Sequence, residues 1–448
     1  MLERRKTYSI EESLDVLFKR NFGFGKAPSK EGAIEEFVRF YGDSSGVWIV
    51  GLLQFLAENR DRFKTTEIYL AEGHPIKVAK PLIPFPPQVR EVNGRKIPSV
   101  LTRKDIREVV RPFFNDIDKE QLLELIISRR SGIDFSFAVY GLGIFRCNLS
   151  FYQGGLHLAM RWLDFEIPHI DTMNYPPIYR AMIDDLMDET EIPYPLVDVP
   201  RPLTAKVLRR GGLILHIGPT SSGKTTSIAS EINYLANNIN GAIFTYENPI
   251  EYRFLATKSS VIQYDIDVHF QGSFQGVLKH LLRNTPNVAL IGEARTLDEI
   301  DSLIDIASRG HLIFSTMHAG NVGEAFEVLF QLKGRESQIA TSLLAVVAHR
   351  ILIVPNKTER RTEILPVYEV LVLQPPQGIQ RPANIITAIR EKKMKDFLNY
   401  LEEYDSRNAR GEINNPYYVS FKSYLKWLLV NRKINQEVYE RAVDLIGC

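Results

Sequence analysis

The residues in this chain best suited to chemistry form one run, Gly218-Pro219-Thr220-Ser221-Ser222-Gly223-Lys224-Thr225-Thr226. It matches G-x-x-x-x-G-K-[ST]. In that motif the glycines let the backbone wrap a phosphate with successive N–H groups pointing inward, the lysine reaches the outer phosphates, and the next hydroxyl binds Mg²⁺. Gly218, Thr220, Ser221, Ser222, Gly223, Lys224, Thr225 and Thr226 are therefore the expected phosphate-binding residues, with Thr225 also a metal ligand. The expected ligand is a nucleoside triphosphate.

A phosphate cradle hydrolyses nothing by itself, so acidic groups must follow on neighbouring strand ends. Glu247 and Glu251 follow one apolar run (241–246), and Glu293 and Arg295 follow another (287–292). A carboxylate at the carboxyl end of a buried strand sits where ligands bind in open α/β sheets, and burying one unpaired is costly, which favours a metal or water partner. Glu293 is read as holding the Mg²⁺ shell through water, and Glu247 as polarising the attacking water. A solvated loop carboxylate is the alternative for either. Further on, a helix ends at Gly310 and a strand begins. Its far end carries Thr316 and His318, placing a histidine where it can sense a γ-phosphate.

These groups need a scaffold. The apolar run 213–217 reads as a buried parallel strand leading into the cradle, and the segment after it has helical spacing, which directs its N-terminal dipole at the phosphates. From 208 to 375, strand candidates at 213–217, 241–246, 261–263, 288–291 and 312–315 alternate with helical stretches, the order of a parallel sheet wrapped by helices. Upstream, residues 1–44 form an extension with helices at 9–20 and 31–41. Residues 45–165 read as a small α+β domain: a buried helix near 46–57, a strand at 66–70, helices at 102–114 and 119–128, and a meander of three alternating runs at 133–140, 144–151 and 156–163. Residues 166–207, rich in proline around a helix at 178–187, read as a linker, and 376–448 as a C-terminal helical region ending in two helices, 420–430 and 434–446.

Composition narrows the class. Of 448 residues, 55 are Lys or Arg and 54 Asp or Glu, so no global field draws the chain to nucleic acid or anionic lipid. No apolar run reaches the about 20 residues of a membrane span, and the start lacks an export h-region. Two cysteines, Cys147 and Cys448, make neither a disulfide framework nor a four-cysteine zinc site.

With its motifs in this order, the chain resembles the hexameric secretion ATPases of type IV pili and of type II and type IV secretion. The matching boxes are the cradle at 218–225, the aspartate box at 246–252, a second acidic box at 290–295 and a histidine box at 310–318. Residues 281–288, with Arg283, are similar to the segment before the second acidic box, and 344–350 to the helix after the histidine box. The resemblance is greatest to PilT-type retraction ATPases and DotB-type ATPases of type IVB secretion, in whose N-terminal meander two arginines reach the triphosphate. Arg146 and Arg161 occupy those positions.

The resemblance implies a RecA-like parallel-sheet ATPase domain preceded by a small α+β, PAS-like domain. It implies Glu247 as general base, Glu293 on the metal side, His311 and His318 as the histidine-box pair, and Glu251, Arg283 and Arg295 as further site candidates. It implies ATP and Mg²⁺, a homo-hexamer, and a cytoplasmic place at the inner face of the membrane through inner-membrane components of a secretion or pilus machine, without direct nucleic-acid binding. The chain departs from the family at Asn248, Thr296 and His349, where an Asp, an acid and a Gln are usual. A ring helicase or recombinase is opposed by the neutral charge balance and the lack of a basic, aromatic-rich stretch. A non-hydrolysing scaffold is opposed by intact Lys224, Glu247 and Glu293.

Overall fold

The computed structural model describes residues 22–24, 30–41, 45–59, 67–78, 83–114, 132–139, 142–153, 155–163, 167–192, 203–254, 256, 258–356, 361–408 and 411–446. The helices expected at 9–20 and 119–128 lie outside the described residues. The chain forms two compact units, one of residues 1–166 with 249–253, the other of 167–248 with 254–448.

The first unit comprises β1 (Phe22–Phe24), α1 (Lys30–Tyr41), α2 (Trp48–Glu58), β2 (Glu67–Ala71), β3 (Lys77–Val78), β4 (Ile83–Pro84), a small hairpin β5 (Glu91–Val92) and β6 (Arg95–Lys96), α3 (Arg103–Val110), and the meander β7 (Ile133–Val139), β8 (Gly143–Tyr152) and β9 (Gly155–Leu163). Its sheet runs β1-β7-β8-β9-β2-β3-β4. The meander alternates because one face is buried. Phe137, Phe145 and Trp162 are cross-strand partners whose ring centroids lie 4.9 and 5.1 Å apart, and each such pair adds about 0.5–1.5 kcal/mol beyond its buried area. Against this core packs α2, which is too apolar for a surface helix and buries Trp48 through Leu53 and Leu56. Thr102 and Asp105 close a reciprocal capping box that starts α3.

The second unit contains α4 (Pro177–Asp184), an antiparallel pair β10 (Met187–Ile192) and β11 (Leu203–Leu208), β12 (Gly212–Ile217), α5 (Lys224–Asn238), β13 (Ala242–Glu247), β14 (Ser260–Asp265), α6 (Ile266–Phe270), α7 (Phe274–Asn284), β15 (Val288–Glu293), α8 (Leu297–Ser308), β16 (Leu312–Met317), α9 (Val322–Leu329), α10 (Glu336–Ser342), the long hairpin β17 (Leu343–Asn356) and β18 (Arg361–Val372), α11 (Ala383–Arg390), α12 (Met394–Ser406), β19 (Tyr418–Val419), α13 (Phe421–Val430) and α14 (Gln436–Ile446). Among the described residues its main sheet runs β14-β13-β15-β16-β12-β17-β18-β19. The strands from β14 to β17 are parallel, and β18 and β19 add antiparallel. Ile170, Met173, Tyr175, Ile178, Tyr179, Met182, Ile183 and Leu186, from the proline-rich stretch, are buried in this unit's core.

One expectation is corrected. Residues 344–350, read as a helix, are the central part of strand β17, paired with β12 on one side and β18 on the other. Leu344 to Val347 are buried throughout, and a short apolar run of that kind is equally compatible with a strand covered on both faces.

Candidate active site

The parallel register decides which residues can meet. All carboxyl ends from β14 to β17 lie on one edge of the sheet, and the order β13-β15-β16-β12 brings Glu247, Glu293, Thr316 and the phosphate loop to that edge in sequence. At about 4.8 Å per strand, the loop strand is about 10 Å from the backbone of Glu293 and about 14 Å from that of Glu247. That gap admits a phosphate chain and a water.

The loop itself is built by backbone that most residues avoid. Gly218 has φ +145° and Gly223 φ +93°, and Ser221 also enters the left-handed region at +63°. A β-carbon on Gly218 would lie 2.7 Å from Ser222 Oγ and 2.8 Å from the carbonyl oxygen of His349, so the cradle's first turn requires glycine. Thr220 and Ser221 are exposed, Thr225 and Thr226 half-buried. Lys224 Nζ donates to the carbonyls of Gly218 (2.7 Å) and Pro219 (2.9 Å), folding over its own loop. Ser222 Oγ is buried and has no partner among the described residues. A phosphate would supply an acceptor for both that hydroxyl and the lysine. Among the described residues no cluster of three or more His, Cys, Asp or Glu side chains is set to hold a metal. The Thr225 hydroxyl and the Glu293 carboxylate are hard oxygen donors, and such a sparse set fits Mg²⁺, which prefers one or two protein oxygens with water and phosphate completing the shell. Thr225 and, through water, Glu293 are the residues that would hold it.

Glu247 is 5% exposed. Its Oε1 accepts from Thr245 Oγ1 at 2.6 Å and Gln263 Nε2 at 3.4 Å, so two neighbours aim the carboxylate. Glu293 is engaged at both oxygens: Oε1 lies 2.6 Å from His318 Nε2, and Oε2 accepts from Arg295 Nε at 2.9 Å. Thr316 pins the two strand tips together, its hydroxyl donating to the Gly292 carbonyl at 2.8 Å while its own carbonyl accepts from Ala294 N.

The two departures beside the acidic boxes acquire structural roles. Asn248 Nδ2 donates to Asp267 Oδ1 at 3.0 Å, and Thr296 caps α8 in a reciprocal box with Glu299.

Two expected site residues lie elsewhere. His311 precedes β16, so six strand residues, about 20 Å, separate it from His318. The histidine-box pair therefore occupies opposite edges of the sheet. Arg283, exposed on the last turn of α7, leads into the amino end of β15 and lies on that far edge as well. A crossover helix must return the chain to the sheet's amino edge before the next parallel strand, so residues ending such a helix cannot share the edge where strands end. Arg146 and Arg161 are direct cross-strand partners on β8 and β9 of the first unit. Arg146 Nη1 is 3.3 Å from Oε1 of Glu251, which belongs to the same unit.

Sequence reading missed Thr245 and Gln263. Thr245 was within reach, because residues i and i+2 of a strand share a face. Gln263 lies on β14, and its approach depends on pairing that no local pattern reveals.

Residues 200–394 match the family model described as Type II/IV secretion system protein. The chain is 29% identical over 300 residues to the type IV pilus ATPase PilU of Pseudomonas aeruginosa, covering 65% of this chain and 69% of the relative. It is 26% identical over 310 residues to the type IV pilus retractation ATPase PilT of the same organism, covering 68% and 78%. Among solved structures, the pilus retraction motor PilT with bound ADP superposes with a TM-score of 0.60 at 24% identity, covering 87% of this chain and 96% of that one. The Legionella pneumophila ATPase DotB gives 0.60 at 19% identity, covering 88% and 95%. Both share the fold. The phosphate loop and its acidic strand tips lie inside the matched region, and the chain is similar to the type II/IV secretion ATPases, on their PilT-like side.

Proposed function

We propose that this chain is an ATP-hydrolysing motor that works as a homo-hexamer at the cytoplasmic face of a membrane, driving a DotB-like secretion or conjugation machine or the retraction of a pilus. The observation that carries the reading is the convergence of Lys224, Glu247, Glu293 and His318 on one sheet edge. PilT, similar in sequence and fold, binds ADP, which supports a nucleotide in the same loop here.

In this reading the 218–226 loop and Lys224 bind and orient the triphosphate, and Thr225 and Glu293 would hold a Mg²⁺ ion, which would supply positive charge beside the phosphate oxygens. Glu247, buried and aimed by Thr245, takes the proton of the attacking water. Residues 208–375 act as the motor domain, 45–165 as its α+β partner, 166–207 as the connection, 1–44 as an extension and 376–448 as a helical C-terminal region.

Phosphate release from wild type, Lys224→Ala and Glu247→Gln tests the reading, together with the mass of the assembly in solution. We expect Lys224→Ala to lose nucleotide binding. Glu247→Gln should keep binding and lose about a hundredfold or more in turnover. Wild-type turnover in the Gln variant would overturn the assigned base, and stimulation by single-stranded DNA would favour a nucleic-acid motor instead.

A further inference from the structure

Beneath the phosphate loop lies a chain of three ionisable side chains that the hydrolysis chemistry leaves unused. His216, two residues before Gly218 on β12, places Nδ1 2.8 Å from Nε2 of His349 on β17 and Nε2 3.0 Å from Oε2 of Glu231 on α5. All three are fully buried.

The chain touches the loop on three sides. His216 continues the strand that enters it. Glu231 stands on the helix that leaves it, seven residues after Lys224 and so on the same face. The backbone of His349 lies directly under Gly218, since a β-carbon there would be 2.8 Å from its carbonyl oxygen.

Its proton inventory leaves two positions open, Oε1 of Glu231 and Nδ1 of His349. With Glu231 ionised and both rings neutral, His216 donates Nε2–H to the carboxylate and His349 donates Nε2–H to His216. Nδ1 of His349 is then a bare lone pair, and it has no partner among the described residues. In that state the buried chain carries a net negative charge. One more proton makes it neutral and turns His349 Nδ1 into an N–H donor, whichever ring carries the positive charge.

The surroundings set when that proton binds. Tyr175, Tyr179 and Tyr368 pack against the chain, and burial, with the charge of Glu231 added, holds their hydroxyls protonated far above their ordinary range. They therefore stay neutral while the chain changes its proton count. Burial keeps His349 well below the usual histidine range, and a proton on His216 and the charges of Lys224 and Arg350 add to this. A triphosphate on Lys224 cancels part of that field, and a nearby negative charge favours the protonated imidazole.

We propose that Glu231, His216 and His349 form a proton-carrying positioning unit for the phosphate loop, which takes up a proton when a nucleoside triphosphate binds. The inference rests on the nucleotide reading above and adds to it a proton stoichiometry and three positioning residues.

Calorimetric titration of the full-length protein with Mg²⁺ and a non-hydrolysable ATP analogue, in buffers of different ionisation enthalpy near pH 7.5, measures the proton number directly. Wild type should take up a fraction of a proton per site at this pH, and more at about pH 6.5. His349→Gln keeps a donor and an acceptor but cannot titrate. It should bind with an uptake near zero and a dissociation constant within about threefold of wild type at pH 8.5, where His349 is unprotonated in the free protein. Glu231→Gln removes the negative charge that attracts the proton and should also lose most of the uptake. A wild-type heat independent of buffer, or wild-type uptake retained in both variants, overturns the inference while leaving nucleotide binding intact. Absence of any binding heat in wild type overturns the nucleotide reading, and this inference with it.

Discussion

Nε2 of His318 lies 2.6 Å from Oε1 of Glu293, across the tips of two neighbouring parallel strands. Because β16 separates β15 from the loop strand β12, His318 stands between the acidic group and the phosphate loop. The other oxygen of Glu293 is held by Arg295, so the histidine and the arginine together fix how the carboxylate is oriented.

His318→Ala should therefore lower turnover by about tenfold or more, the scale of one group placed against developing charge. Nucleotide affinity should stay within about threefold, because the loop and Lys224 are untouched. Phosphate release beside fluorescent-nucleotide binding checks this. Equal losses in both would place His318 in binding rather than turnover.

Much of this site was legible because its parts are local. The glycine pattern of the loop, the apolar run that becomes β12 and the acids that end β13 and β15 each lie within a few residues of a periodic segment. What escaped was long-range. That His311 and His318 fall on opposite edges follows from the length and direction of β16, and that 344–350 is a strand follows from its place between β12 and β18. The chain from Glu231 through His216 to His349 joins residues up to 133 apart in sequence, and no pattern within one element shows it.

Thr245 should prove to be a positioning residue for Glu247. Its hydroxyl donates to the carboxylate at 2.6 Å in a fully buried setting, and a hydrogen bond to a charged group there is worth about 1.5–3 kcal/mol. Thr245→Val is expected to lower kcat by about tenfold or more with little change in KM, and Thr245→Ser to restore most of it. A Ser variant as impaired as Val would assign the effect to packing.

Gly218→Ala tests the loop's backbone. The position combines φ +145° with a β-carbon site 2.8 Å from a backbone carbonyl, so alanine must distort either the loop or β17. Nucleotide binding should be lost while far-ultraviolet circular dichroism stays unchanged. Wild-type affinity in this variant would show that the cradle tolerates a side chain and that phosphate is bound by other groups.

Glu369, on β18, governs a pH dependence of stability. Its carboxylate accepts from the backbone N–H of Val322 at 3.0 Å, holding the start of α9, and from the hydroxyl of Tyr418. Burial pushes its pKa up to about 7, against the pull of these two hydrogen bonds. Asp405 adds to the rise and Arg350 opposes it. An acid whose pKa is raised on folding leaves the native state holding more protons than the unfolded chain. Stability therefore falls as pH rises from about 4.5 to about 7 and is level above, a loss of about 3 kcal/mol from this group. Denaturant titrations at pH 5.5 and 8 should show wild type losing stability relative to Glu369→Gln, whose amide keeps the acceptor for Val322 and does not titrate. A constant difference between the two proteins across that range would mean that Glu369 is ionised throughout.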